Sequence, residues 1–162
     1  MHPPFARVRR RLDDVREAFD RLQAIEAEIV PLLAATPGEA AGVARNMLRG
    51  SGIEGIYSGI EGVLKALLVA ADGEVHAEGG AWHARLLAQA AEPTGRRPPI
   101  ISQAVFDRLD RLRAFRHVER NTYAHLLRAG DVERNVQILV EAFPAFEVEI
   151  LDFLSSFDPA DA

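Results

Sequence analysis

The sequence predicts an all-α protein, an up-and-down bundle of about five helices. Apolar residues recur every three or four positions through most of the chain, as on the buried face of an amphipathic helix. No stretch shows the alternation of apolar and polar residues that is typical of a strand. The breaks between the periodic segments are short and contain proline or glycine, which favours a bundle of neighbouring helices.

Length and composition favour one domain over residues 1–162, with an acidic tail, 158–162, expected to be disordered. The chain has 162 residues, of which 48% are hydrophobic, enough for one core. It contains no cysteine, which excludes disulfides and thiolate chemistry. No apolar run approaches the roughly 18 residues that cross a bilayer, so we expect a cytoplasmic protein without a membrane span.

The first helix is predicted from one long apolar stripe. The stripe steps by threes and fours through Phe5, Val8, Leu12, Val15, Phe19, Leu22, Ile25 and Ile29. Pro31 is expected to kink or end the helix, because proline cannot donate a helical hydrogen bond. The segment 35–40, "ATPGEA", predicts a turn and then a new helix start.

The second helix is predicted over residues 39–72. It contains "GSGIEG" at 50–55, which matches a dinucleotide-binding pattern by letters alone. That pattern requires a preceding strand, and the residues before it read as helix. Each helical glycine costs about 1 kcal/mol relative to alanine. Since four glycines (52, 55, 59 and 62) share one helix face, we expect close approach of another backbone, within the chain or at a subunit interface.

Three further helices are predicted after this one. The first covers about 79–92 and is followed by a proline-containing loop over 93–100. The next runs from about 103 to 127, with Ser102 as its N-cap and Gly130 closing it. The last covers about 131–157 and is expected to bend at Pro144.

Charge is distributed unevenly along the chain. The net charge is −5, which argues against a protein that coats nucleic acid. Residues 96–128, however, hold eight arginines against three acidic residues, a local excess of five positive charges. Such a segment could bind phosphate, or its arginines could pair with acids on neighbouring helices.

The segment 116–125, "RHVERNTYAH", concentrates groups suited to acid–base and phosphate chemistry. At about 100° per residue, one polar stripe contains four residues at steps of four: Arg113, His117, Asn121 and His125. A second stripe beside it contains Arg116, Arg120 and Tyr123. Arg120 and His125 diverge by about 140° on an ideal helix, which favours a site distorted at the helix end or completed by a second subunit.

These residue types suit RNA cleavage without a metal. A histidine can accept the proton of a 2′-hydroxyl and return one to the leaving 5′-oxygen. Arginine can stabilise the charge that builds on phosphorus, and asparagine can orient the histidine or hold the phosphate. His76, Glu78 and His83 lack the spacing of a metal site, so we expect neither a metal nor another cofactor.

Four runs of the sequence are characteristic in their order and spacing: "IYSGIEGVLKALL", "GAWHARLLAQ", "RRPPIIS" and "LDRLRAFRHVERNTYAHLL". The last run contains "RNTYAH", an R-x(4–6)-H motif with asparagine directly after the arginine. In these runs and in this motif the chain resembles the HepT-like group of HEPN-superfamily ribonuclease toxins. The similarity covers roughly residues 45–157.

The resemblance implies a HEPN-type bundle that forms a homodimer about the motif helix and acts on RNA. It implies Arg120, Asn121 and His125 as the catalytic residues. Arg113, Arg116 and His117 are interpreted as RNA-binding or supporting residues. The implied partner is a minimal nucleotidyltransferase antitoxin.

One position departs from the group. Better-known relatives carry a tyrosine two residues after the motif histidine, and the antitoxin adenylylates it; Leu127 occupies that position here. Tyr123, inside the motif, is the alternative acceptor.

Two other hypotheses remain open at this stage. The chain could be a non-catalytic HEPN binding module that presents substrate to a partner nucleotidyltransferase. Alternatively, it could be a dimeric scaffold whose arginines only pair with acids of the last helix. Under every hypothesis, Trp82 and His83 are interpreted as structural anchors at a helix start.

Overall fold

The computed structural model describes residues 3–75, 79–121 and 127–157, with the side chains of 3, 4 and 118–121 excepted. Within these ranges the chain forms helices and no strand. The helices are α1 (Pro3–Glu28), α2 (Val30–Ala35), α3 (Glu39–Asp72), α4 (Trp82–Ala91), α5 (Gln103–Asn121) and α6 (Ala129–Ser156). Counted with α1 and α2 as one bent helix, these are the five helices that the sequence predicts, and the all-α fold class is confirmed.

The break between α1 and α2 lies where proline predicts it. α1 ends at Glu28, and Pro31 occupies the first turn of α2, where its missing N–H has no helical partner to lose. The predicted apolar stripe of α1 is buried from Phe5 to Leu22, but Ile29 at its end is 40% exposed. The core therefore covers most of α1 and leaves its last turn at the edge.

α3 is the central helix and contacts every other helix. Its predicted bounds of 39 and 72 are confirmed, and Gly73 ends it in the left-handed conformation that glycine adopts without strain. "GSGIEG" lies inside this helix, which excludes a dinucleotide-binding turn. α3 is buried on several sides, so its apolar residues do not form a single narrow stripe.

Two of the four glycines predicted to share one face of α3 allow α1 to approach closely. A Cβ atom added at Gly52 would lie 2.7 Å from Leu22, and one at Gly59 would lie 2.6 Å from Val15. A Cβ at Gly55 would meet nothing within 4 Å. The predicted close approach is thus found within the chain at Gly52 and Gly59, where α1 runs antiparallel to α3.

A buried arginine joins α3 to α1 and α6. The Nε and Nη2 atoms of Arg49 donate to the two carboxylate oxygens of Glu26 at 2.7 and 2.6 Å, and Nη1 donates to Glu133 at 2.7 Å. These hydrogen bonds, that to Glu26 first, raise the pKa of Arg49. The arginine can be buried because each of its charged edges faces a carboxylate.

The loop between α4 and α5 is ordered around Arg97. All five guanidinium N–H groups are used: two bind Asp72 of α3, at 2.7 and 2.8 Å, and three bind the backbone carbonyls of Gln89, Glu92 and Pro98. Ser102 then caps α5 as predicted, since its Oγ accepts from the Val105 N–H.

The link from α5 to α6 differs from the prediction. Leu127 and Arg128 are not helical, so the predicted end of the fourth helix at 127 is wrong. Gly130 does not close that helix but lies in the first turn of α6, which begins at Ala129. Pro144 lies inside α6, and the helix is continuous through it.

One hydrophobic core unites the bundle. It draws on all the long helices and on the loop residues Ile100 and Ile101. No helix in the described ranges is long and apolar enough to cross a membrane.

Candidate functional site

The predicted catalytic motif begins at the C-terminal end of α5. Arg120 and Asn121 are the last two residues of α5, and the structure does not describe their side chains. Tyr123 and His125 lie outside the described residues entirely. The structure therefore describes the residues that precede and follow the motif, but not the side chains of the motif itself.

Arg116, one helical turn before Arg120, is buried against α3 and α4. Its Nε donates to Glu54 at 3.3 Å, and its Nη1 lies 3.6 Å from Glu61. Both glutamates belong to α3, seven residues apart and so on one face of that helix. The guanidinium charge is thus balanced within the bundle, which gives Arg116 a fixed position at the base of the motif.

His83 of α4 lies between Arg116 and Glu61. Its Nδ1 is 2.5 Å from Glu61 Oε1, and Arg116 Nη1 is 3.3 Å from both ring nitrogens. A carboxylate only accepts, so Nδ1 carries the hydrogen and donates to Glu61. In the neutral ring, Nε2 is then the nitrogen that can accept from Arg116. One chain of hydrogen bonds joins α5, α4 and α3.

Trp82 packs beside this chain of hydrogen bonds. Its ring centroid lies 3.8 Å from that of His83, and the two ring planes are tilted by 32°. Trp82 itself is half-buried and contacts the core. The contact limits the rotation of the imidazole, and Trp82 remains partly exposed.

Tyr57 lies under the same cluster, fully buried in α3. The Arg116 guanidinium carbon is 5.9 Å from its ring centroid, within cation–π range. Its hydroxyl makes no hydrogen bond of normal geometry to the described part of the chain. Burial, and then the negative charge of Glu61, raise the pKa of Tyr57, so this phenol stays neutral.

A second anchor follows the motif segment. Asn46 of α3, itself buried, donates from Nδ2 to the backbone carbonyl of Leu127 at 3.1 Å. Leu127 is also buried, with its side chain in the core. The chain is therefore fixed by Arg116 before the motif and by Leu127 after it.

The other two predicted supporting residues, Arg113 and His117, are more exposed than Arg116. Arg113 donates to Asp110 of the same helix at 2.7 Å and is half-buried. His117 is exposed. The hydrogen bonds and the ion pair that define the Arg116–His83–Glu61 cluster involve neither residue. The charge of Arg113 still reaches Tyr57 beneath that cluster, where it acts to lower the pKa of the phenol against the larger effect of burial.

Sequence reasoning missed the two glutamates and did not connect His83 with Arg116. A signal was present: between Gly50 and Ala71, α3 carries only three charged residues, Glu54, Glu61 and Lys65. Acids seven residues apart in a helix so apolar require a cationic partner when buried. The identity of that partner depends on the packing of α5, which the sequence does not state.

The family comparison agrees with this architecture. The family described as HepT-like protein matches residues 50–157, two thirds of the chain, and the match includes the motif and the cluster beneath it. The chain belongs to the HepT-like family. No curated protein and no solved structure gives a significant match.

The HepT-like region includes α4, α5, α6 and α3 from Gly50 onward. It contains every residue of the Arg116–His83–Glu61 cluster. It leaves out α1, α2 and Asn46, so part of the core and one anchor of the motif segment come from sequence that precedes the match.

Proposed function

We propose that this HepT-like protein is the toxin of a toxin–antitoxin pair and a metal-independent endoribonuclease. The observation that carries the proposal is the HepT-like match over the whole R-x4-H motif. The fixed positions of Arg116 and Leu127 on either side of the motif support it, because catalytic groups must be held in a defined geometry.

In the proposed reaction, His125 accepts the proton of a ribose 2′-hydroxyl, and the 2′-oxygen attacks the adjacent phosphorus. The bond to the 5′-oxygen breaks, that oxygen takes up a proton, and a 2′,3′-cyclic phosphate remains. Arg120 stabilises the charge on the phosphoryl oxygens, and Asn121 orients the phosphate or the imidazole. Because His125 transfers protons and Arg120 stabilises the charge that builds on the phosphoryl oxygens, the proposed reaction uses no metal or other cofactor.

A homodimer completes the proposed site. Residues five apart diverge by about 140° on a helix, so the motif of a second copy would supply groups that one copy cannot aim at the same phosphate. The proposed partner in the cell is a nucleotidyltransferase antitoxin. Tyr123 is the proposed adenylylation acceptor, because Leu127, at the position usual for the acceptor tyrosine, has no hydroxyl and is buried.

The test is cleavage of transfer RNA by the purified protein in EDTA. We expect wild-type protein to leave cyclic phosphate ends, and Arg120→Ala and His125→Ala to lose at least about 100-fold in rate. Arg111→Ala is the matched control: it removes an exposed arginine of the same helix and should keep full activity.

Failure to cleave by a folded wild-type dimer would contradict the proposal. The alternative, a non-catalytic module that presents substrate to the nucleotidyltransferase, predicts a different result. In that case Arg120→Ala and His125→Ala would lower the activity of the partner enzyme while cleavage stays absent in every variant.

A further inference from the structure

A groove lies between the N-terminal half of α1 and the C-terminal half of α3, far along α3 from Asn46. We call it the α1–α3 groove; Arg7, Arg11, Lys65, Gly62 and Val69 are among its lining residues. It has a volume of about 580 Å³. It is open along its length, so it suits an extended ligand better than a small enclosed one.

The small residues of α3 keep this groove shallow and clear. Gly62 has no side chain, and a Cβ there would come within 3.5 Å of Arg11 Nη1. Alanines 66 and 70 continue the floor, and Val69 is 49% exposed beside them. The arginine of α1 can therefore lie across α3 with its charged end at the groove.

The charge of the groove has one sign. Arg7, Arg11 and Lys65 are exposed, and none of the described residues that line the groove is acidic. No ion pair joins these three to a carboxylate in the part of the chain that the structure describes. Arg16 and Arg21, further along α1, do pair with Glu147 and Glu17.

The cations are spaced for a repeating anion. Arg7 and Arg11 are four residues apart, so they lie on one face of α1 about 6 Å apart along its axis. Lys65 faces them from α3. A positively charged groove of this kind can follow the backbone of a nucleic acid strand.

Lys65 also links the groove to an aromatic ring. It lines a second depression together with Trp82, Val75 and Gly79. Trp82 is half-buried, and it lines this depression. An aromatic side chain beside a cationic groove is the combination that binds single-stranded nucleic acid, because bases stack on the ring while phosphates meet the cations.

We propose that the α1–α3 groove and the Trp82 depression form an accessory binding surface for single-stranded RNA, separate from the cleavage motif. The choice of RNA as the polyanion rests on the proposed function. One wall of the groove is α1, which precedes the HepT-like match over residues 50–157. The family match therefore does not include this part of the proposed surface.

The test measures binding separately from cleavage. The probe is a fluorescent 2′-O-methyl oligoribonucleotide, which lacks the attacking hydroxyl and cannot be cleaved through a cyclic phosphate. Binding to the full-length protein is measured by anisotropy, and in parallel by the fluorescence of Trp82, the single tryptophan. We expect the oligonucleotide to quench Trp82.

The decisive variants carry equal charge changes on one helix. Arg7→Glu/Arg11→Glu should weaken binding roughly tenfold at low salt and lower the salt dependence by about 1.4 units for two lost single-strand phosphate contacts. Arg9→Glu/Arg10→Glu changes the net charge equally, but neither residue lines the groove, and it should weaken binding at most about twofold. Circular dichroism confirms that both variants fold.

Three results would overturn the groove: equal losses in the two double variants, no Trp82 quenching despite binding, or tighter binding of duplex RNA. The ribonuclease proposal fails separately. If wild-type protein binds the probe through Arg7 and Arg11 but cleaves no RNA, the RNA-binding role of the groove is supported and the catalytic assignment is wrong. If wild-type protein cleaves RNA and both double variants bind the probe like wild type, the catalytic assignment is supported and the RNA-binding role of the groove is wrong.

Discussion

His83 Nδ1 lies 2.5 Å from Glu61 Oε1, and this contact ties α4 to α3 directly beneath the arginine that precedes the motif. The carboxylate is 4% exposed, so water contributes little to its solvation. Its negative charge is stabilised instead by the imidazole N–H and by Arg116. The position of the motif helix therefore depends in part on this buried acid, together with Glu54.

Glu61→Gln should destabilise the fold more than Glu54→Gln. The first change weakens the charge-assisted hydrogen bond to His83 and removes a negative charge facing Arg116, at an expected cost of about 1.5–3 kcal/mol. The Glu54 side chain is 30% exposed, so water replaces much of its interaction. Urea unfolding of both variants measures the difference, and equal losses would contradict the assigned role of Glu61.

The same pair of variants also probes the proposed reaction. If α5 must be held in place for Arg120 to act, Glu61→Gln should lower the cleavage rate under conditions where the variant is fully folded. Glu54→Gln should change it less. A Glu61→Gln protein that is destabilised but cleaves at the wild-type rate would show that the cluster serves stability alone.

Alanine at two glycines of α3 should have opposite effects. Gly59→Ala places a Cβ 2.6 Å from Val15 Cγ2, a stiff and buried side chain, and overpacking of this kind costs about 1–3 kcal/mol. Gly55→Ala meets no atom within 4 Å and should gain up to about 1 kcal/mol of helix propensity.

A double variant separates the clash from other causes. Val15→Ala removes the methyl groups that the new Cβ would meet. Gly59→Ala should therefore be less harmful in the Val15→Ala background than in wild type, by about 1 kcal/mol or more of coupling free energy. Additive losses measured by urea unfolding would show that the α1–α3 approach does not limit residue 59.

Tyr57 should make the fold sensitive to alkaline pH. Burial raises the pKa of Tyr57 in the folded state, whereas the unfolded chain ionises near pH 10. Above that pH the unfolded state loses the phenol proton and the folded state keeps it. Stability therefore falls as pH rises, by about 1.4 kcal/mol per pH unit for this one group.

Tyr57→Phe should remove that part of the pH dependence. At neutral pH the change should cost less than about 1 kcal/mol, since the hydroxyl makes no hydrogen bond of normal geometry to the described part of the chain. Urea unfolding at pH 9 and pH 11 measures the slope. Tyr123→Phe keeps Tyr57 and serves as the control; an equal slope in wild type and Tyr57→Phe would falsify the prediction.

Arg97 should be the least replaceable arginine of the α4–α5 loop. Arg97→Met removes both guanidinium donors to Asp72, which among the described residues keeps only Gln89 Nε2 at 3.3 Å, and the donor to three backbone carbonyls. Breaking a buried pair in this way costs about 3–5 kcal/mol. Arg96→Met, the exposed neighbour, should change stability by less than about 0.5 kcal/mol. Thermal unfolding of both proteins compares them directly, and similar melting temperatures would contradict the prediction.

Local pattern alone determined much of the fold. The spacing of apolar residues at three and four positions predicted the helices. Pro31, Gly73 and Ser102 marked helix boundaries that the structure confirms. These features act within one or two helical turns, so neighbouring residues suffice to specify them. The family resemblance was also readable in the sequence, because it rests on runs of adjacent residues.

Only the tertiary structure decided which charged residues meet. Arg116 joins Glu54 and Glu61 across more than fifty positions of the chain, and Gly59 is close to Val15 while Gly55 is open. Such pairings depend on how each helix is rotated and placed against the next. Periodicity defines the buried face of one helix, whereas the identity of the opposing side chain is fixed only when the bundle packs.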